Sequence, residues 1–320
     1  MSMNFIVAGE PSSWIEPLRA RLGPARVFAP RAADVLARAT SRAWARGAAD
    51  RILSLRFLRR RLVGELAARV LPRDATAVYA PCGAADRVFA VARQRGIKTV
   101  LVHDLPSLRE LHADLDVAAG RFPDCVFLRR FRATRADVVR QETERALADE
   151  ILVRGEHARA LVIERGAEAS RVHRMPEKAP PPRARAPVPP TPTLLLAGYA
   201  AARSGTNEAL ALLDELPLAT LLVRAGDGTE PARFLRHPRV RVSSAVERRE
   251  LRGVSAVIAP AWCESYPPEV TLAHALGVPV IGTLRAMGFV PGTVVARGDV
   301  RALASAITAS GTSRGEARLT

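Results

Sequence analysis

Lysine is nearly missing from this chain. Only Lys98 and Lys178 occur among 48 Lys and Arg residues in 320, so arginine carries the net charge of +16. A GC-rich genome produces such a bias by itself, but the charge still favours anionic partners: phosphates, nucleotides, acidic membrane surfaces or nucleic acid. Aromatic residues are scarce, at 5 %. Beyond Phe57, Phe127 and Phe131 none interleave with the basic runs, and so few stacking platforms argue against nucleic-acid binding. Cysteine is equally thin. Cys82, Cys125 and Cys263 are odd in number and far apart, which excludes a disulfide framework and points to a reducing cytoplasm. No His/Cys/Asp cluster has metal-ligand spacing, so a metal-independent chemistry with no cofactor is expected. Neither half contains GxGxxG, against a dinucleotide oxidoreductase. No apolar run reaches the roughly 18 residues of a spanning helix. The opening MSMNFIVAGEP lacks a basic n-region, so a signal peptide is not expected.

What is present is an alternation of short apolar runs and helical patterns. A length of 320 with 48 % hydrophobic residues suits two domains with real cores. In the first half, strands are expected at 4–8, 26–29, 75–79, 99–102, 150–153 and 172–175. Helices are expected from the turn at 9–13 to Leu22, and over 31–71, 84–95, 108–147 with a break at Pro123, and 156–165. Strands separated by helices argue for a parallel sheet. Composition then shifts to PEKAPPPRARAPVPPTP, too proline-rich for regular structure and read as a stiff linker.

A second α/β series follows, with strands at 194–197, 220–223, 239–242, 257–259 and 278–281. Helices are expected at 207–216, 247–252, 269–276 and 299–308, with a frayed tail from Ser310. The stretch IAPAWCESYPPEVTLAHALGVPVI organises this half. A strand stops at Pro260, an acidic loop holds Glu264, a helix ends at Gly277 and a strand returns. In such a unit ligands sit at strand C-termini against helix N-termini.

The order of these features resembles the GT-B nucleotide-sugar glycosyltransferases, specifically the large retaining family that includes glycogen synthase and sucrose synthase. The C-terminal half carries the likeness in LLLAG, GDG, APxxxES, ALGVPVI and a late GD before a helix. ARQRGIKTVLVHDLP and ERALADEILVRGEHARALVIERGAEASRVHRMP resemble the acceptor half of bacterial members that build surface polysaccharides. The resemblance implies an α/β, GT-B architecture of two Rossmann-like parallel-sheet domains facing a central cleft. It places an acceptor domain at 1–175, a linker at 176–193 and a donor domain at 194–320.

It also implies chemistry. A sugar leaves a nucleotide diphosphate through a cationic transition state, and the anionic diphosphate must be held by Arg or helix N-termini. Glu264 would grip the sugar, with His103 contacting sugar or phosphate and Asp104 beside it as a weaker candidate base. Gly198, Tyr199, Arg203, Ser204 and Gly205 would form the diphosphate loop, with Ser265, Tyr266 and Arg285 nearby. His112 is a spare candidate, and His274 reads as packing. The implied partners are a nucleotide-diphosphate sugar and a saccharide or lipid-linked glycan, with no nucleic acid. Attack would be front-side, with retention.

Two departures stand out. Leu272 occupies the place of the family's second glutamate, with Glu269 one turn earlier as a partial substitute. Tyr199 and Ser204 occupy the places of its basic clamp. They keep open a second reading, a degenerate non-catalytic GT-B protein partnering an active transferase. Finally, Arg56, Arg59, Arg60 and Arg61 on one amphipathic helix offer a contact to acidic lipid, for a cytoplasmic protein at the inner membrane face.

Overall fold

The computed structural model describes residues 3–8, 14–29, 52–104, 106–125, 128–129, 131–175, 179–183, 191–225, 232–244, 248–263 and 267–312; the side chains of 52–56, 232–233 and 311–312 are outside the description. The chain forms two compact units. One holds Met1–Ala113 and Arg130–Glu177, the other Asp114–Arg129 and Lys178–Thr320. The helix Leu108–Arg121 therefore begins in one unit and ends in the other.

In the first unit the strands are β1 (Met3–Val7), β2 (Ala25–Phe28), β3 (Ala75–Pro81), β4 (Lys98–His103), β5 (Glu150–Val153) and β6 (Val172–Arg174). They lie in the order β2-β1-β3-β4-β5-β6, every pair parallel. The helices between them are Ile15–Leu22, Ile52–Val70, Ala85–Gln94, Leu108–Arg121, Arg135–Leu147 and Glu156–Glu164. A parallel sheet needs a crossover between neighbours, and these helices supply it. Helix Arg135–Leu147 starts at a capping box, in which Thr134 Oγ1 accepts from the Asp137 amide and Asp137 returns the bond to the Thr134 amide. Phe5, Val78, Phe89, Leu101 and Ile151 form the core beneath.

The second unit has β7 (Thr193–Tyr199), β8 (Thr220–Arg224), β9 (Val240–Ser243), β10 (Ala256–Ala259), β11 (Val280–Gly282) and β12 (Thr293–Val294). Their order is β12-β11-β10-β7-β8-β9, again all parallel. Because side chains alternate along a strand, Leu194 and Leu196 enter one apolar cluster and Leu195 and Ala197 the other. Both faces are covered, as a parallel sheet requires.

Most expected elements stand within a residue or two. The short helices Ala232–Leu235 and Leu284–Met287 and the strand β12 had no expectation. The closing helix continues to Thr312, past the expected fraying at Ser310. The expected helix over 31–51, the GDG turn and most of the proline-rich stretch lie outside the described residues.

Gly64 marks where helix Ile52–Val70 meets the loop after β3. A Cβ there would stand 2.3 Å from the Ala84 carbonyl oxygen. In an open helix Gly→Ala would gain up to about 1 kcal/mol; here Gly64→Ala is expected to cost about 1–3 kcal/mol by forcing two backbones apart. Urea denaturation read by circular dichroism measures the sign.

Candidate functional sites in the two units

In a doubly wound parallel sheet, ligands bind where strand order reverses, outside the carboxyl ends of the strands. In the first unit the reversal falls between β1 and β3. The loop after β3 is Cys82-Gly83-Ala84, and it opens helix Ala85–Gln94. That helix N-terminus is already answered from within the protein. Glu144 is fully buried, and its carboxylate accepts from the amides of Gly83 at 2.8 Å, Ala85 at 2.9 Å and Asp86 at 3.3 Å. Burial pushes its carboxyl up to about 7, although the three amides hold it down.

Beside it stands an ion pair. Arg60 is 2 % exposed, and its two Nη atoms reach both oxygens of Asp104 at 2.9 and 2.8 Å; Nη1 also donates to the Cys82 carbonyl at 2.7 Å. This corrects the expectation that Arg60 belongs to a membrane-facing set, because a guanidinium this enclosed meets no lipid. Asp104 is likewise committed to Arg60, so its oxygens serve to position the loop rather than stand ready as a base. Arg61 is exposed and Arg59 half-buried, next to Leu58 and Leu62, which are 48 % and 43 % exposed. The side chain of Arg56 is outside the description.

His103 ends β4 and is buried. Burial first, then the Arg145 guanidinium, lower its imidazole to about 4. The ring is therefore neutral at physiological pH, and its Nε2 has no hydrogen-bond partner among the described residues. The spare candidate His112 has a structural task, its Nε2 accepting from the Ala133 amide at 3.0 Å.

In the second unit the reversal lies between β10 and β7. β7 bends at Gly198, φ 86°, where its register with β8 shifts, and the loop after it passes through a short 3₁₀ turn, Ala202–Ser204. Gly205, at φ 92°, is the N-cap of helix Thr206–Glu215. Only glycine fits there, since a Cβ would stand 2.7 Å from the Pro260 side chain. The loops after β7 and β10 are joined, with the Trp262 amide donating to the Arg203 carbonyl at 3.0 Å. Neither this helix start nor its counterpart in the first unit is capped by its own N-cap side chain, and the first is answered by Glu144. Thr206 Oγ1 and Glu208 Oε2 are buried with no hydrogen-bond partner among the described residues. Glu208 Oε1 accepts from Trp262 Nε1 at 2.6 Å. Burial raises the Glu208 carboxyl, and the Trp262 bond opposes this.

The other expected donor residues divide. Gly198 and Tyr199 end β7, and Arg203, Ser204 and Gly205 follow on its loop, with Ser204 buried and Arg203 half-buried. The Gly198 amide donates to Glu269 Oε2 at 3.2 Å. Glu269 Oε1 lies 3.2 Å from Arg224 Nη2, and the Arg224 guanidinium stacks 3.9 Å over the Tyr199 ring. Arg285 is paired with Asp114 at 2.6 Å, and Arg297 bonds the same carboxylate. Trp262 packs edge-on to Phe122 at 6.4 Å. Glu264, Ser265 and Tyr266 lie outside the described residues. Sequence reasoning missed Glu144, Glu208, Trp262, Asp114 and Arg224. Their only signal was an acid or aromatic on a helix or loop, or for Arg224 a basic strand end, and each partner is distant in the chain.

No family model and no curated protein matches this sequence. Solved structures do. Sucrose-phosphate synthase from Thermosynechococcus elongatus aligns at TM-score 0.54 and 18 % identity, over 79 % of this chain and 69 % of its own. The lipopolysaccharide outer core galactosyltransferase WaaB aligns at 0.55 and 12 %, over 97 % and 90 %. Anabaena HepE in complex with UDP-glucose aligns at 0.56 and 12 %, over 98 % and 90 %. The fold is GT-B. In this GT-B chain all described strands of both units are parallel, and among the described residues no group of three His, Cys, Asp or Glu side chains is placed to hold a metal.

Two outcomes are expected at the first-unit cluster. Arg60→Met strands the Asp104 carboxylate in a buried place and costs about 3–5 kcal/mol, while R60M combined with D104L recovers most of it; equilibrium urea melts distinguish the two. The second concerns pH. Glu144, with its folded pKa raised to about 7, contributes stability that is full below the usual carboxylate pKa and is lost as pH rises through 7. His103, lowered to about 4, acts in the opposite sense, because the unfolded chain takes up its proton first and stability is lost as pH falls toward 4. Glu144→Gln should therefore make stability climb more steeply with pH across the interval from about 4.5 to 7, as read by melts in a buffer series.

Proposed function

We propose that this chain is a retaining glycosyltransferase. It moves a sugar from a nucleotide-diphosphate donor to a saccharide or lipid-linked acceptor, in the assembly of a surface polysaccharide. The observation that carries the reading is the start of helix Thr206–Glu215 at the strand reversal of the second unit. The corresponding helix of the first unit is filled by Glu144, whereas this one has a glycine N-cap and a buried Thr206 hydroxyl without a described partner. Such a helix end receives phosphate oxygens. Near-full-length likeness to a lipopolysaccharide galactosyltransferase and to a protein solved with UDP-glucose supports the reading.

In it, Arg203 and the amides of Ser204, Gly205 and Thr206 hold the diphosphate. Glu264, with Ser265 and Tyr266 beside it, hydrogen-bonds sugar hydroxyls. His103, neutral and with Nε2 unsatisfied in the described residues, contacts sugar or phosphate. The departing phosphate takes the acceptor proton, and no metal is used. The domains proposed are an acceptor domain at 1–175, a linker at 176–193 and a donor domain at 194–320. Cytoplasmic placement at the membrane's inner face belongs to the same reading, with Arg59 and Arg61 flanking the exposed Leu58 and Leu62 as the docking contact. Among the described residues no helix is long and apolar enough to cross a membrane.

Two observations favour a second reading, a non-catalytic GT-B protein that partners an active transferase. Leu272 packs against the apolar cluster of the second unit, and Arg285 is bound by Asp114. Neither is then disposed toward a nucleotide.

Titration calorimetry across uridine, guanosine and thymidine diphosphates and their sugars tests both. Binding is expected for at least one donor, with hydrolysis or transfer detected by mass spectrometry. Glu264→Gln and His103→Ala should each lower kcat/KM about 100-fold, the loss typical of a transition-state contact. Absence of binding to every nucleotide and nucleotide sugar overturns the proposal, and binding without turnover favours the partner reading.

A further inference from the structure

The first unit carries a cavity of about 650 Å³ walled by Arg109, Glu142, Arg145, Arg165 and Arg171. Its volume falls within the roughly 300–1,000 Å³ usual for small-molecule sites. Four guanidiniums and one carboxylate face it. Arg109 bonds Glu142, and Arg165 stands 3.8 Å from Glu110. Arg171 has no carboxylate partner among the described ion pairs. It donates instead to the carbonyls of Arg145, Ala148 and Asp149, at the end of helix Arg135–Leu147. Arg145 Nη1 is buried and has no hydrogen-bond partner among the described residues. Its charge is felt on both sides, lowering the His103 imidazole and the Glu142 carboxyl.

A buried guanidinium N–H without an acceptor costs free energy, and clustered like charges repel. An anion with several acceptor oxygens removes both costs. Planar guanidinium forks match phosphate oxygens two at a time. We propose that this cavity is a binding site for a phosphate-bearing group, a phosphomonoester or diphosphate, held chiefly by Arg145 and Arg165. The site lies wholly within the first unit and is distinct from the helix start assigned to the donor, so it stands whether or not the chain transfers sugar. The group belongs either to a soluble phosphate compound or to an acidic lipid headgroup.

The test uses the full chain, inorganic pyrophosphate and two vesicle compositions, phosphatidylcholine with and without phosphatidic acid. The wild type and R145Q/R165Q are compared, with UDP run on both as the reference for the donor site. Pyrophosphate should bind the wild type and weaken with added salt. The double variant should lose at least about tenfold in affinity, in line with the removal of charge-assisted bonds, while UDP binding stays unchanged. If only phosphatidic acid vesicles bind, and the variant loses them, the site stands with a lipid source. Should the double variant fail to fold, R165Q alone, at an exposed side chain, is expected to show a smaller loss in the same direction. Equal pyrophosphate and vesicle binding by wild type and folded variants overturns the proposal, as does no binding of either probe.

Discussion

Every crossover in these parallel sheets delivers a helix N-terminus to the carboxyl edge, and each such end carries a partial positive charge that something must answer. The two units answer it differently. In the first, Glu144 reaches across from a distant helix and bonds three consecutive-region amides, at Gly83, Ala85 and Asp86. In the second, Gly205 brings no side chain, and the strand-end loops are tied together by Trp262 instead. One fold thus answers one of these helix starts with a distant carboxylate and begins the other at a glycine. That asymmetry organises the functional reading.

The arginine excess takes on a different meaning once the fold is known. Along the sequence the charge is a diffuse +16. In space it separates into classes. Arg60 is sealed against Asp104, Arg224 is stacked on Tyr199 and paired with Glu269, and Arg285 and Arg297 share Asp114. These hold loops at strand ends. Arg109, Arg145, Arg165 and Arg171 form a different class, gathered around a cavity with one carboxylate among them. Burying a charge is tolerated only with a partner, so the enclosed, paired arginines of the first class read as structure.

The alternation of apolar runs and helical patterns made the two sheets legible before any coordinates. The strand at Leu194–Ala197, the Gly277 stop and the helix after Tyr79 all follow from local periodicity and caps. The candidate site was legible only where it is local. Gly198 to Gly205 form one strand end and its loop because they are consecutive, and Gly205 is where a backbone must pass Pro260. The short helix Leu284–Met287 escaped notice, since four residues carry no period.

Composition and pattern alone determined an α/β chain of two parallel sheets, because hydrophobic spacing and helix stops act between near neighbours. They also determined a strongly basic chain whose charge suits phosphate. Only the tertiary structure decided which charges are free to act. Whether Arg60 faces lipid or Asp104, whether a distant carboxylate such as Glu144 answers a helix start, and which arginines converge on one cavity all depend on residues dozens of positions apart. Electrostatic pairing and desolvation are set by distance in space, which one-dimensional spacing does not carry.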